Sequence, residues 1–169
     1  TIQRLNTDYV TIKRIAGDTD ALSVNVYKSP VYNAQQITDL KFIGQNIVQL
    51  DASGLPIGQE EMTFIGSCTN LEWLELDQTP VTDTEFLKLD GLLNLKVLKA
   101  YDIDITDRSV AVIKNLKKLK SLYIWGAEIS ESGLSELKKT LPSLQIDKGI
   151  DSELQTGFIQ KDTIVYGIK

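Results

Sequence analysis

Histidine is absent from this chain, and cysteine and methionine occur once each. Without histidine the commonest general base, the usual zinc ligand and the axial haem ligand are all missing. The single Cys68 excludes an intrachain disulfide and leaves the redox compartment open. There is no glycine-rich phosphate loop, no G-x-S-x-G elbow and no glycosylation sequon. No apolar run approaches the roughly 20 residues that span a bilayer, and no secretory leader is visible. The numbering opens on Thr1 rather than on methionine, which fits a domain excised from a longer polypeptide whose targeting and anchoring segments lie outside it. What remains, 169 residues with 42% apolar content and a net charge of −5 spread along the chain, is enough for one continuous core.

Within that composition an L-x-x-L-x-L-like phrase recurs from Ile47, Leu71, Leu95 and Leu119, each 24 residues after the last. Leu50, Leu74, Leu98 and Leu122 share one offset, and Ala52, Leu76, Ala100 and Ile124 share another two residues on. A spacing of two marks one face of a strand. Ile57, Val81, Ile105 and Ile129 follow. Then come the pairs Met62 and Ile65, Phe86 and Leu89, Val110 and Ile113, Leu134 and Leu137, whose spacing of three marks one face of a helix. Each repeat reads as a strand, a turn and a short helix returning outside the sheet. A single unit cannot bury its apolar face, so neighbouring coils must stack. A fixed period in the twenties with these offsets is the signature of a leucine-rich-repeat solenoid. The expected fold is therefore α/β, with a parallel sheet on the concave side and short helices on the convex side.

Local signals support this reading. Thr82-Asp83-Thr84-Glu85 matches a capping box, and Thr106-Asp107 and Ser130-Glu131 keep a hydroxyl followed by an acid at the same place. Cys68 aligns with Leu92 and Leu116 and is expected to be a core thiol. A more divergent coil fits upstream at an interval of 26, with Ala21, Val24, Val26 and Val31 at the core offsets and Ile37, Leu40 and Ile43 as its helix face. Residues 1–20 are expected to cap the N-terminus through a strand or hairpin around Gly17-Asp18, residues 21–146 to form about five repeats, and residues 147–169 to form a C-terminal cap or tail.

Two possible sites are set aside. Asp102, Asp104 and Asp107 crowd one turn but lack the glycine and closing glutamate of an EF-hand loop, so a turn followed by a helix cap is expected rather than calcium. Lys114, Lys117, Lys118 and Lys120 are narrower than a nucleic-acid footprint and read as a solvated helix end. Neither a metal nor a cofactor is expected, and no nucleic acid or direct membrane insertion. Nor is catalysis: Asp51, Glu75 and Asp77 lie on an open sheet face, without the apolar enclosure that raises one carboxyl pKa for acid catalysis.

Residues between the core offsets point away from the helices, and those one period apart sit on adjacent strands roughly 4.8 Å apart. Three rows cross the concave face. They run Ser23, Gln49, Trp73, Val97, Ser121; Asn25, Asp51, Glu75, Lys99, Tyr123; and Tyr27, Ser53, Asp77, Tyr101, Trp125. Both tryptophans lie here, with three of the six tyrosines. Trp73, Tyr101, Tyr123 and Trp125 flanked by Glu75, Asp77 and Lys99 have the composition of a protein-binding hot spot with a polar rim. The expected role is non-catalytic recognition or scaffolding, toward a protein partner or a neighbouring domain of the same polypeptide. Three alternatives are a carbohydrate-binding module stacking sugars on the four aromatics, a patch covered by Phe158 and Tyr166 of the tail, and a cytoplasmic effector-type repeat protein.

The stretch from Val81 to Ile146, especially TPVTDTEFLKLDGLLNLKVL, resembles bacterial leucine-rich repeats of the form L-x-x-L-x-L-x-x-T-x-[IV]-T-D-x-G-L-x-x-L. More narrowly, LYIWGAEIS followed by LKKTLPSLQID is similar to the last repeat of a domain found in bacterial membrane proteins that also carry a c-type-cytochrome-like domain. LSVNVYKSPVYNAQQITDLKFIGQNIVQLDASG resembles that domain's first coil. The likeness spans about residues 20–148. It implies a location in the periplasm or cell envelope, as part of a larger membrane-anchored protein, although neither a haem motif nor a membrane helix is in this chain. Tyr101-Asp102-Ile103 departs from the pattern's small-polar-Thr turn, Arg108-Ser109 lacks its glycine, and Leu55-Pro56 sits in the first turn.

Overall fold

A sheet of seven strands runs the length of the domain, with each strand beside the next in chain order. The computed structural model describes residues 2–149. Most of the expected C-terminal cap or tail, Phe158 and Tyr166 included, lies outside them. β1 (Val10–Arg14) pairs antiparallel with β2 (Leu22–Val26). β3 (Ile47–Asp51), β4 (Trp73–Glu75), β5 (Val97–Lys99), β6 (Ser121–Tyr123) and β7 (Gln145–Asp147) then follow in parallel. Short helices return the chain: α1 (Ile2–Leu5) precedes the sheet, and α2 (Gln35–Thr38), α3 (Gln59–Ser67), α4 (Asp83–Phe86), α5 (Val110–Asn115) and α6 (Glu131–Thr140) connect successive parallel strands. 3-10 turns at Asp39–Phe42, Leu87–Gly91 and Asp107–Ser109 extend the short ones.

The repeat offsets become layers of one core. Leu50, Leu74, Leu98 and Leu122 are fully buried, as are Ile65, Phe86, Leu89, Ile113 and Leu137 from the helix side. In β4, β5 and β6 the middle residue is buried and its two neighbours face the concave surface. Cys68 is buried in the same core, and burial pushes its thiol up to about 12, against a hydrogen bond from Ser67 that lowers it.

The upstream coil departs from its expected register. A slip between Leu22 and Ser23 pairs Leu22, rather than Ala21, with Ile47, and Leu22 takes the buried place. Val31 is 80% exposed instead of filling the core. The two additional residues of this coil are split: one lies between β2 and the helix face, where Val31 turns outward, and the other between Ile43 and Ile47.

Two ladders tie coil to coil in ways the apolar pattern does not display. The Asp83 carboxylate accepts from the Thr106 backbone N–H at 3.0 Å, the Thr106 hydroxyl at 2.8 Å and the Ser109 hydroxyl at 2.6 Å. One repeat later, Asp107 accepts from the Ser130 N–H at 2.9 Å and its hydroxyl at 2.6 Å. The hydroxyls still cap their own helices: Thr82 completes its box with Glu85, Thr106 accepts from the Arg108 N–H and Ser130 from the Gly133 N–H. On the opposite edge, Asn70 donates to the Gln45 carbonyl at 2.7 Å and Asn94 to the Thr69 carbonyl at 3.0 Å.

The turn leaving each strand also repeats. Gly54, Gln78, Asp102 and Gly126 all have positive φ, between 52° and 82°. At Gly126 a Cβ would lie 2.4 Å from the Asp102 carboxylate of the preceding coil, so glycine answers both a left-handed backbone and a close approach. Asp102 lies in the turn after β5, Asp104 bridges to Thr82 and Asp107 opens the 3-10 turn capped by Thr106, and among the described residues no group of three or more Asp, Glu, Cys or His side chains is placed to hold a metal ion. None of the helices there is long and apolar enough to cross a membrane.

Candidate functional site

The register aligns two of the three lateral rows residue for residue. Gln49, Trp73, Val97 and Ser121 are direct partners across β3 to β6, and Asp51, Glu75, Lys99 and Tyr123 form the adjacent row, continued by Asp147 of β7. Because side chains alternate along a strand, both rows share the concave face.

At its centre, Glu75 bridges two repeats. One carboxylate oxygen accepts from the Trp73 indole N–H at 2.7 Å, the other from the Lys99 ammonium at 2.9 Å. The Lys99 ammonium also lies 5.4 Å from the centre of the Trp73 ring, within cation–π range. Partial burial disfavours the charged lysine, but the hydrogen bond and charge of Glu75 outweigh it and hold Lys99 above its ordinary pKa. Three side chains thus fix one another's rotamers in one half-buried network.

Beyond it, Tyr101 and Trp125 stack with ring centroids 4.5 Å apart and planes 10° from parallel. Trp125 is 39% exposed and Tyr101 half-buried. The turn after β7 backs this pair: a Cβ at Gly149 would lie 2.7 Å from that of Trp125. Tyr123 is half-buried on the neighbouring row. On the N-terminal side, Ser23, Asn25, Gln49, Asp51, Trp73 and Glu75 line a shallow depression of about 300 Å³. The rows contained its Ser23, Asn25, Gln49 and Asp51, but no aromatic or charge density set them apart.

Asp77 occupies a different place from the one its row suggests. Rather than presenting a rim charge, it is only 2% exposed, and its carboxylate accepts from the Tyr101 backbone N–H at 3.3 Å. β4 ends at Glu75, so the chain is already turning at Asp77 and directs it under the neighbouring coil. Burial raises its pKa to about 6; the Tyr101 N–H opposes that shift, and the charge of Glu75 adds to it. An unfolded aspartate titrates near ~3.9, so the folded state binds this proton more tightly. The contribution is therefore most favourable below about pH 4, declines as pH rises toward 6, and is least favourable above it. Between about pH 5 and about pH 7, stability is expected to fall by on the order of 1 kcal/mol through this group. Asp77→Asn keeps an acceptor for Tyr101 and should remove that slope. Urea midpoints measured across the interval check this, and parallel slopes in the two proteins would refute it.

The sequence matches no family model and no curated protein. Solved structures do resemble the fold. Internalin C2 of Listeria monocytogenes aligns over 72% of this chain with a TM-score of 0.52 and 22% identity. A leucine-rich-repeat protein of Leptospira interrogans aligns over 73% with a TM-score of 0.50 and 22% identity. The aligned region spans 50% of the first protein and 30% of the second. The 24-residue period, the consecutive parallel strands and these likenesses make the fold of this chain a leucine-rich-repeat solenoid.

Proposed function

We propose that this domain is a non-catalytic recognition module that binds a protein partner, or a neighbouring domain of its own polypeptide, through the concave face. The observation that carries this reading is the Glu75-centred network standing beside the Tyr101–Trp125 stack. Rings and charges already held in place lose little conformational entropy on binding, which is the economy of a hot spot. Trp73, Glu75, Lys99, Tyr101, Tyr123 and Trp125 are the proposed contacts, with Asp77 supporting Tyr101 from below. A sugar-binding reading has less support: Lys99 sits over the Trp73 ring, and Tyr101 and Trp125 each give one face to the other. A location in the periplasm or cell envelope, within a membrane-anchored protein, rests on the resemblance of the repeats.

The test compares wild type with Trp73→Ala/Tyr101→Ala/Trp125→Ala in a pull-down from lysate and envelope fractions, after circular dichroism shows both folded. Hot-spot truncations each cost about 2 kcal/mol or more, so the partner should be retained by wild type and lost from the triple variant. Equal recovery by two folded proteins would sink the assignment. A glycan array run beside it separates the sugar reading, in which binding withstands high salt and depends on single aromatics.

A further inference from the structure

A second surface, remote in chemistry from the aromatic face, lies where β5, β6 and β7 begin. Lys96, Lys117, Lys118 and Lys120 line a cleft of about 590 Å³ together with Ser121, Ser143 and Gln145. No acidic side chain is among its lining residues, in a chain whose net charge is −5. The repeat brings the lysines together: Lys96 and Lys120 stand one period apart on adjacent coils, joined by the Lys120 N–H to Lys96 carbonyl bond. Lys117 and Lys118 come from the loop after α5.

Local bonds steer these ammonium groups without neutralising all of them. Lys96 pairs with Glu72 at 2.8 Å, Lys118 donates to the Asn94 side chain at 2.8 Å, and Lys117 to the Lys114 carbonyl at 2.6 Å. Among the described residues only Lys96 of the four has a carboxylate partner. Each ammonium carries three protons, so those engaged through one still have donors to offer.

We infer that this cleft docks an acidic peptide segment of a protein partner. Charge complementarity specifies an anion, and the composition specifies which kind. The cleft contains no arginine for bidentate phosphate recognition and no aromatic ring on which a base or sugar would stack. Lysine point charges interspersed with serine hydroxyls and a glutamine amide suit successive carboxylates and the peptide groups between them. The second contact would also steer association, since clustered cations raise encounter rates with an acidic segment.

The probe is a fluorescein-labelled octaglutamate peptide, titrated with the 169-residue chain and followed by anisotropy at low and physiological ionic strength. Wild type should bind it, more weakly as salt rises. Lys117→Glu/Lys120→Glu should weaken binding by about ten-fold or more, whereas Lys13→Glu/Lys28→Glu, an equal charge change elsewhere, should leave it within about two-fold. Lys117→Gln/Lys120→Gln serves if the reversal does not fold by circular dichroism. No peptide binding, or an equal loss in the control, overturns the inference. Tighter binding of a sulfated oligosaccharide or single-stranded DNA of matched charge overturns the peptide assignment. Peptide binding retained by the concave triple variant separates this site from the aromatic one.

Discussion

Phe86→Ala is expected to lower the unfolding free energy by about 3–5 kcal/mol, the range for an aromatic truncated in a packed core. Phe86 ends α4 and is the largest fully buried side chain among the described residues. Its offset is shared by Met62, Val110 and Leu134, so this layer has one large ring where the adjoining coils carry smaller side chains. Such a ring cannot be replaced by collapse of its neighbours without shifting two coils at once, and the cavity persists. Typical domains have ~5–15 kcal/mol of stability in total, so the loss should move the urea midpoint far down. Because a solenoid is coupled through nearest neighbours, the transition should also broaden. A change of less than about 1 kcal/mol would show that the helix layer repacks freely.

Asp83→Ala is expected to destabilise by about 2–3 kcal/mol, more than its counterpart Asp107→Ala. Asp83 accepts three hydrogen bonds from the next coil, one of them from Ser109, which is fully buried and would lose its partner. The bonds to Asp107 come from Ser130, which is exposed and can turn to water. Burial works against ionisation of Asp83, but the hydrogen bonds from Ser109 and Thr106 prevail and hold its pKa below the ordinary value. A depressed folded pKa means that this stabilisation is present above the unfolded value near ~3.9 and is lost as pH falls through the folded one. The gap between wild type and Asp83→Ala should therefore narrow on acidification. Denaturation curves for both alanine variants at neutral and acidic pH decide this; equal effects at the two aspartates would show that the bond to buried Ser109 adds nothing beyond what Ser130 supplies to Asp107.

The opposite slopes at Asp77 and Asp83 illustrate what could be read in advance. Both are aspartates at repeating positions of similar repeats. Asp83 was legible as an acid in the first turn of a helix, and its service to the following coil is the same feature seen across the stack. Asp77 carried no signal of burial, because the period-two alternation that places a side chain outward ends with the strand. The same limit explains Val31 and Ala21: the spacing of 24 predicts position well where it holds, and a coil two residues longer does not announce where each additional residue falls. Among the proposed contacts, the rows and the adjacency of Tyr101 and Trp125 were visible in the sequence, whereas the parallel stacking of those two rings and the hold of Glu75 on both Trp73 and Lys99 were not.

The sequence by itself determined the repeat, the solenoid, the inward leucines and isoleucines and the aromatic character of the concave face. These follow from periodicity, since a side chain's face depends on its offset within a regular element. Only the tertiary structure decided which polar groups meet: the Asp83 and Asp107 ladders, the burial of Asp77, the lysine cleft where β5 to β7 begin. Those contacts join residues about one period apart through rotamers and turn geometry, and they exist only once one coil has been laid on the next.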